Sequence, residues 1–93
     1  MKKILVLHGP NLNLLGTREP DIYGSMTLDA LDERLHAMVI SSDFELLIIQ
    51  NNVEGELINV LQEYGFSVHG IVFNPGGYTH TSVAIRDAIL GIE

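Results

Sequence analysis

The sequence predicts a small α/β domain built on a doubly wound parallel sheet. Three short runs, residues 4–7, 46–49 and 71–73, are solidly apolar rather than alternating, as is typical of parallel strands covered on both faces. A segment with helical spacing of apolar residues follows each run, and this alternating order favours right-handed crossovers. The length of 93 residues suits one such domain, so residues 1–93 are interpreted as a single unit.

Each predicted helix has an apolar stripe and a recognisable boundary. The first spans residues 27–40, with Asp29 near its positive end. The second spans Glu54–Tyr64 and stops at Gly65, and the third runs from about residue 81 to 90 with Gly91 as its cap. The residues expected to face the sheet are Leu28, Leu31, Leu35, Met38 and Val39, then Leu57, Ile58, Leu61 and Tyr64, and finally Val83, Ala84, Ala88 and Ile89.

Composition and charge exclude several classes of protein. Hydrophobic residues make up 46% of the chain and charged residues 18%, which excludes a disordered chain. The net charge of −7 argues against a nucleic-acid partner and against an anionic membrane surface. Cysteine is absent, and the four histidines lack metal-ligand spacing. The first apolar run is too short for a signal peptide or a membrane span, so we expect a cytoplasmic protein.

One connection is much longer than α/β connections usually are. Nineteen residues, 8–26, separate the core of the first strand from the first helix, whereas two to six residues are usual. The segment includes Leu12, Leu14, Leu15, Ile22 and Tyr23, more apolar mass than a free linker would hold. These residues favour an ordered or closable active-site loop over a flexible insert.

Polar residues follow each predicted strand. Residues 8–11, 50–52 and 74–80 are expected to meet at one edge of the sheet, because ligands of open parallel sheets bind beyond the carboxyl ends of the strands. His80 and Asp87 are seven residues apart and share one helix face if the last helix begins early. We therefore place the site at this edge.

Each feature of this edge also has an ordinary structural explanation. Residues 74–77 could form a simple turn, and His80 could cap a helix. Arg18 and Asp87 could be surface charges, and Tyr23 could be a packing anchor. The dinucleotide, P-loop and serine-elbow motifs are all missing from the sequence. What remains is acid–base chemistry by tyrosine, histidine, arginine and carboxylates.

Three longer motifs carry a family resemblance. Residues 9–20 read GPNLNLLGTREP and are followed by IYGS at 22–25; residues 50–58 read QNNVEGELI, and residues 74–89 read NPGGYTHTSVAIRDAI. In this order they closely resemble type II 3-dehydroquinate dehydratase. The resemblance implies a flavodoxin-like fold and a shikimate-pathway lyase of aromatic amino acid biosynthesis. Such a lyase converts 3-dehydroquinate to 3-dehydroshikimate by trans elimination of water through an enolate. The resemblance also implies no metal or organic cofactor and a homo-oligomer, a dodecamer built from trimers.

The resemblance also implies roles for individual residues. Tyr23 would accept the proton, and Arg18 would favour its phenolate, since a tyrosine of ordinary pKa near 10 is a poor base at neutral pH. Asn11 would help to organise the oxyanion environment. The residues implied in holding the substrate's hydroxyl and carboxylate groups are Asn74, His80 and Asp87.

The sequence departs from the family at its end. It stops at Glu93, whereas family members continue with further strands, a proton-donor histidine and an arginine on the carboxylate side. We expect the N-terminal two thirds of such a fold, with residues 71–73 left as an exposed apolar edge. Two alternatives stay open beside an active dehydratase. One is an impaired fragment that only binds a small anionic hydroxy acid; the other is a remnant that assembles with complete subunits.

Overall fold

Three parallel strands form one sheet in the order β2-β1-β3. The computed structural model describes residues 2–17, 26–78 and 82–92. Strand β1 spans Lys2–His8, β2 spans Phe44–Gln50 and β3 spans Gly70–Asn74. Both outer strands pair in parallel with the central β1. The three predicted strands and their parallel arrangement are therefore confirmed.

Three α-helices alternate with the strands, as predicted. Helix α1 spans Leu28–Val39, α2 spans Glu54–Tyr64 and α3 spans Val83–Ile92. The hydroxyl of Thr27 caps α1 by accepting a hydrogen bond from the Ala30 N–H at 3.1 Å, which satisfies one of the free donors of the first turn. Helix α2 begins and ends at the predicted residues.

Helices cover both faces of the sheet, so the fold is a flavodoxin-like α/β fold. Leu5 and Leu7 of β1 point to one face, where they form the core with side chains of α2 and α3. Successive side chains of a strand point to opposite faces, and His8 accordingly contacts α1 on the other face through Asp32. The fully or nearly fully buried members of the core cluster are Leu5, Leu7, Leu57, Leu61 and Ile85.

Two helix faces differ from the prediction. Met38 of α1 is 78% exposed, and so is Val83 of α3. Helix α3 also continues through Gly91 to Ile92 and buries Ile85 instead. The helix is apolar almost all round, so the pattern of its side chains could not decide which face meets the sheet.

Strand β3 lies at the edge of the described sheet, with β1 as its neighbour there. Val72, in the middle of this strand, is 61% exposed. In the described part of the chain, β3 thus presents apolar surface at the edge of the sheet. Within the described residues, no helix is both long and apolar enough to span a membrane.

Candidate functional site

The three strands end in one row of polar residues. His8, the last residue of β1, is in register with Gln50 at the end of β2 and with Asn74 at the end of β3. Each strand is parallel to the next, so the loops that follow these residues leave the sheet at the same edge. The predicted convergence of the polar segments is therefore correct.

The loops after β1 and β3 are in direct backbone contact. The Gly9 N–H donates to the Asn74 carbonyl at 2.8 Å. A Cβ atom on Gly9 would lie 2.7 Å from the Pro75 carbonyl carbon, and one on Gly76 would lie 2.9 Å from the Pro10 carbonyl oxygen. Gly76 also has a φ of +60°, which favours glycine. Both glycines are therefore needed for the two loops to approach this closely.

Replacing Gly9 by alanine is expected to destabilise the chain by about 1–3 kcal/mol, because the atoms in the way belong to backbone that cannot rotate aside. Urea denaturation measures the loss. The matched control is Gly55→Ala in the first turn of α2, where nothing lies within 4 Å of the added Cβ. Alanine is the better helix former, so this variant should be as stable as the parent or slightly more so. Equal stability of the two variants would contradict the steric argument.

Asn11 lies in this edge with an unusual backbone conformation. Its φ is 69°, in the left-handed region, and the short 3-10 helix Leu12–Leu14 follows directly. Asparagine tolerates this region better than most residues. The Asn11 N–H donates to the side-chain Oδ1 of Asn52 at 2.9 Å, which links the loops after β1 and β2. The exposed Asn11 side chain is thus held on a fixed backbone at the edge of the site.

Of the other predicted site residues, the structure describes Asn74 and Asp87. Asn74, the last residue of β3, pairs in register with His8 of β1. Its side-chain Oδ1 accepts a hydrogen bond from the Gly76 N–H at 3.1 Å. Asp87 lies in the second turn of α3 and is exposed. Among the described residues, no side-chain hydrogen bond or ion pair joins Asp87 to Asn11 or Asn74. Three residues fall outside the described part of the chain: Arg18, Tyr23 and His80.

His8 is a residue of this edge to which the sequence assigned no role. It is 6% exposed, and its Nε2 lies 2.9 Å from Oδ1 of the partly buried Asp32. At this distance the imidazole and the carboxyl group are hydrogen-bonded to each other. The signal was present in the sequence, because Asp32 lies on the inward stripe of α1 between Leu28 and Leu35. A polar residue on such a stripe indicates a buried partner.

The chemistry of this edge is that of amides and backbone groups. The side-chain amides of Gln50, Asn52 and Asn74 lie there and bond to the loop backbone at Gly9, Asn11 and Gly76. Within residues 2–17, 26–78 and 82–92, no group of three or more histidine, cysteine or acidic side chains could hold a metal ion. Such an edge can hydrogen-bond the hydroxyl and carboxylate groups of a small ligand. The fold and the site together define an α/β protein with polar groups gathered at the carboxyl edge of its parallel sheet.

Comparisons with known proteins agree on one family. The family model described as class II dehydroquinase matches residues 2–93. A 3-dehydroquinate dehydratase of Geotalea daltonii is 54% identical over 87 residues, which are 94% of this chain and 60% of the relative. A catabolic 3-dehydroquinase of Pyricularia oryzae is 55% identical over 91 residues, 96% of this chain and 58% of the relative. The crystal structure of a type II dehydroquinase from Butyrivibrio crossotus superposes with a TM-score of 0.93 at 46% identity, covering 98% of this chain and 63% of that one.

The chain belongs to the class II dehydroquinase family, since the family model covers nearly all of it. It spans about three fifths of the length of the curated relatives it matches. The family resemblance predicted from the three motifs is confirmed.

Proposed function

We propose that this chain is a type II 3-dehydroquinate dehydratase, or part of one, and that it removes water from 3-dehydroquinate to give 3-dehydroshikimate. The supporting observation is that Asn11 and Asn74, two residues of the family motifs, are brought together at the carboxyl edge of the sheet. There the Gly9 N–H donates to the Asn74 carbonyl. Proteins named 3-dehydroquinate dehydratase share about half of their residues with the chain over the matched region.

The proposed reaction begins with proton abstraction. The phenolate of Tyr23 takes a proton from the carbon next to the substrate ketone, and the bonding electrons form an enolate. Arg18 favours the phenolate and stabilises the enolate charge, because a cation beside an anion lowers its free energy. Asn11 helps to organise the surroundings of the enolate oxygen. Collapse of the enolate expels the hydroxyl group as hydroxide. The Tyr23 phenol then gives up its proton through solvent, so the phenolate is regenerated and one water molecule is released overall.

The substrate is proposed to be held by Asn74, His80 and Asp87. The Oδ1 of Asn74 accepts from the Gly76 N–H, so the side-chain NH₂ is the group presented to a substrate hydroxyl. His80 and Asp87 are proposed to contact the remaining polar groups of the substrate, Asp87 across a subunit boundary. A dodecamer built from trimers and a cytoplasmic location are proposed on the family resemblance alone.

Replacing Arg18 by alanine is expected to lower kcat about tenfold to a thousandfold while KM changes much less, since a nearby cation lowers the pKa of a phenol by about one to three units. Steady-state kinetics with 3-dehydroquinate separate the two constants. The control is Arg34→Ala, a matched loss of one exposed guanidinium from α1, which should leave both constants unchanged. A rise in KM with kcat intact would make Arg18 a binding residue.

A binding protein without turnover is the second candidate function. It is supported by the polar groups of the site edge, where the amides of Gln50, Asn52 and Asn74 lie and where a small anionic hydroxy acid could be hydrogen-bonded without being converted. Ultraviolet absorbance after mixing with 3-dehydroquinate separates the two candidates, because the conjugated enone product absorbs and the substrate does not. A ligand-induced rise in Tm without an absorbance change would indicate binding alone. Co-purification with a longer chain and no response to ligand would indicate a structural role.

A further inference from the structure

Asn52 connects all three loops at the site edge through its side chain and its backbone carbonyl. Its Oδ1 accepts hydrogen bonds from the Asn11 N–H at 2.9 Å and from Gln50 Nε2 at 3.2 Å. The carbonyl oxygen of the same residue accepts from the Tyr78 hydroxyl at 3.2 Å. Asn11 follows β1, Asn52 follows β2 and Tyr78 follows β3. One exposed residue therefore contacts every loop that leaves the sheet on this side.

The orientation of the Asn52 amide is fixed by its partners. Asn11 N–H and Gln50 Nε2 are both donors, so the group that faces them must be the oxygen and not the nitrogen of the amide. Gln50 Nε2 also donates to the Gly9 carbonyl at 3.2 Å, two residues before Asn11. The same two side chains of the β2 loop thus hold the β1 loop at Gly9 and at Asn11.

The bond to Asn52 acts on the one described non-glycine residue with a positive φ, Asn11. A left-handed residue outside a helix persists only where its surroundings hold it. Loss of the acceptor for the Asn11 N–H would make the left-handed conformation less stable. A change of this backbone conformation would turn the Asn11 side chain in another direction. The direction of the Asn11 side chain consequently depends on the Oδ1 atom of Asn52.

We propose that Asn52 is a positioning residue, which holds Asn11 in its left-handed conformation and so aims the Asn11 side chain at the reacting part of the substrate. This inference rests on the proposed dehydratase function for the role of Asn11, but the conformational part stands without it. Asn52 itself need not touch the substrate. Its effect on catalysis is exerted through the backbone of Asn11.

Three variants of the chain test the proposal. Asn52→Ala removes the acceptor, whereas Asn52→Asp keeps an oxygen that can accept from both donors. Asn51→Ala is the matched control. The Asn51 Oδ1 accepts from the Val53 N–H and its Nδ2 donates to Glu56, so this side chain supports the start of α2 and makes no hydrogen bond to Asn11. The first readout is the exchange rate of the Asn11 amide proton with water by NMR. The second is kcat and KM for 3-dehydroquinate.

Asn52→Ala is expected to speed the Asn11 amide exchange about fivefold or more, as for the loss of one hydrogen bond. It should lower kcat by about tenfold to a hundredfold, with KM within about threefold, since small misplacements of a catalytic group are costly. Asn52→Asp should restore both quantities to within about threefold of the parent. Asn51→Ala should lower Tm but leave exchange and kcat unchanged.

The proposal and the function on which it rests can fail separately. Unchanged Asn11 exchange in Asn52→Ala, or equal losses in the alanine and aspartate variants, would overturn the positioning role. A parent chain without turnover would contradict the proposed activity, and the amide exchange would still decide the role of Asn52. If Asn51→Ala lowered kcat as much as Asn52→Ala, the loss would come from reduced stability of the β2 loop and not from the bond to Asn11. That result would also overturn the proposal.

Discussion

Replacing Tyr23 by phenylalanine is expected to reduce the turnover of 3-dehydroquinate by about 10²–10⁴-fold, the usual contribution of a positioned general base. Only the phenolic oxygen is removed, so the shape that the substrate meets is nearly unchanged. Affinity should therefore stay within a small factor of the parent value. The initial rate of enone absorbance measures turnover, and the shift in Tm with substrate concentration measures binding.

The control for this variant is Tyr64→Phe, the same chemical change at the end of α2. Tyr64 packs against the hydrophobic core, away from the polar edge, and its loss of a hydroxyl should leave turnover unchanged. Equal turnover in Tyr23→Phe and the parent would remove Tyr23 from the mechanism. A parallel loss of affinity would instead assign the phenol to substrate binding.

Replacing Leu61 by alanine is expected to have the largest effect on stability, a loss of about 2–5 kcal/mol. Leu61 is 1% exposed and lies in the core cluster between α2, β1 and α3. The change removes buried methyl groups and leaves a cavity that close-packed neighbours fill only in part. Because small domains are stable by only about 5–15 kcal/mol, such a loss should be plain in a urea titration.

Met38→Ala in α1 is the matched control for Leu61→Ala, since Met38 is 78% exposed. A surface substitution of this kind usually changes stability by less than about 0.5 kcal/mol. A large loss for Met38→Ala, or a small one for Leu61→Ala, would show that the core does not lie between the sheet and the α2–α3 layer.

The sequence predicted the fold well wherever a segment had one clear period. Helix α2 has two fully buried leucines, Leu57 and Leu61, four residues apart, and a glycine directly after its end. Its bounds and inward face were both predicted correctly. Helix α3 is apolar on most of its surface, so several faces fitted equally well, and Ile85 was not expected to be the buried residue. Packing against the rest of the fold determines which face of α3 is buried, and the pattern of a single segment does not contain that information.

The convergence of the polar strand ends was predictable, but the hydrogen bonds between them were not. Polar residues after apolar runs predicted the row formed by His8, Gln50 and Asn74, because parallel strands bring their carboxyl ends together. The Asn11–Asn52 bond joins residues 41 positions apart and depends on a left-handed backbone. The His8–Asp32 bond joins opposite sides of a helix–sheet contact. Such pairs follow from strand register and helix rotation, which no single segment specifies.

The most direct measurement follows the ultraviolet absorbance of the purified chain mixed with 3-dehydroquinate, with Tyr23→Phe measured beside it. We expect absorbance of the conjugated enone to rise with the parent chain and to stay flat with the variant. Circular dichroism of both samples confirms that each is folded. A flat trace from the folded parent, or an equal rise from both proteins, would contradict dehydration of 3-dehydroquinate by this chain through Tyr23.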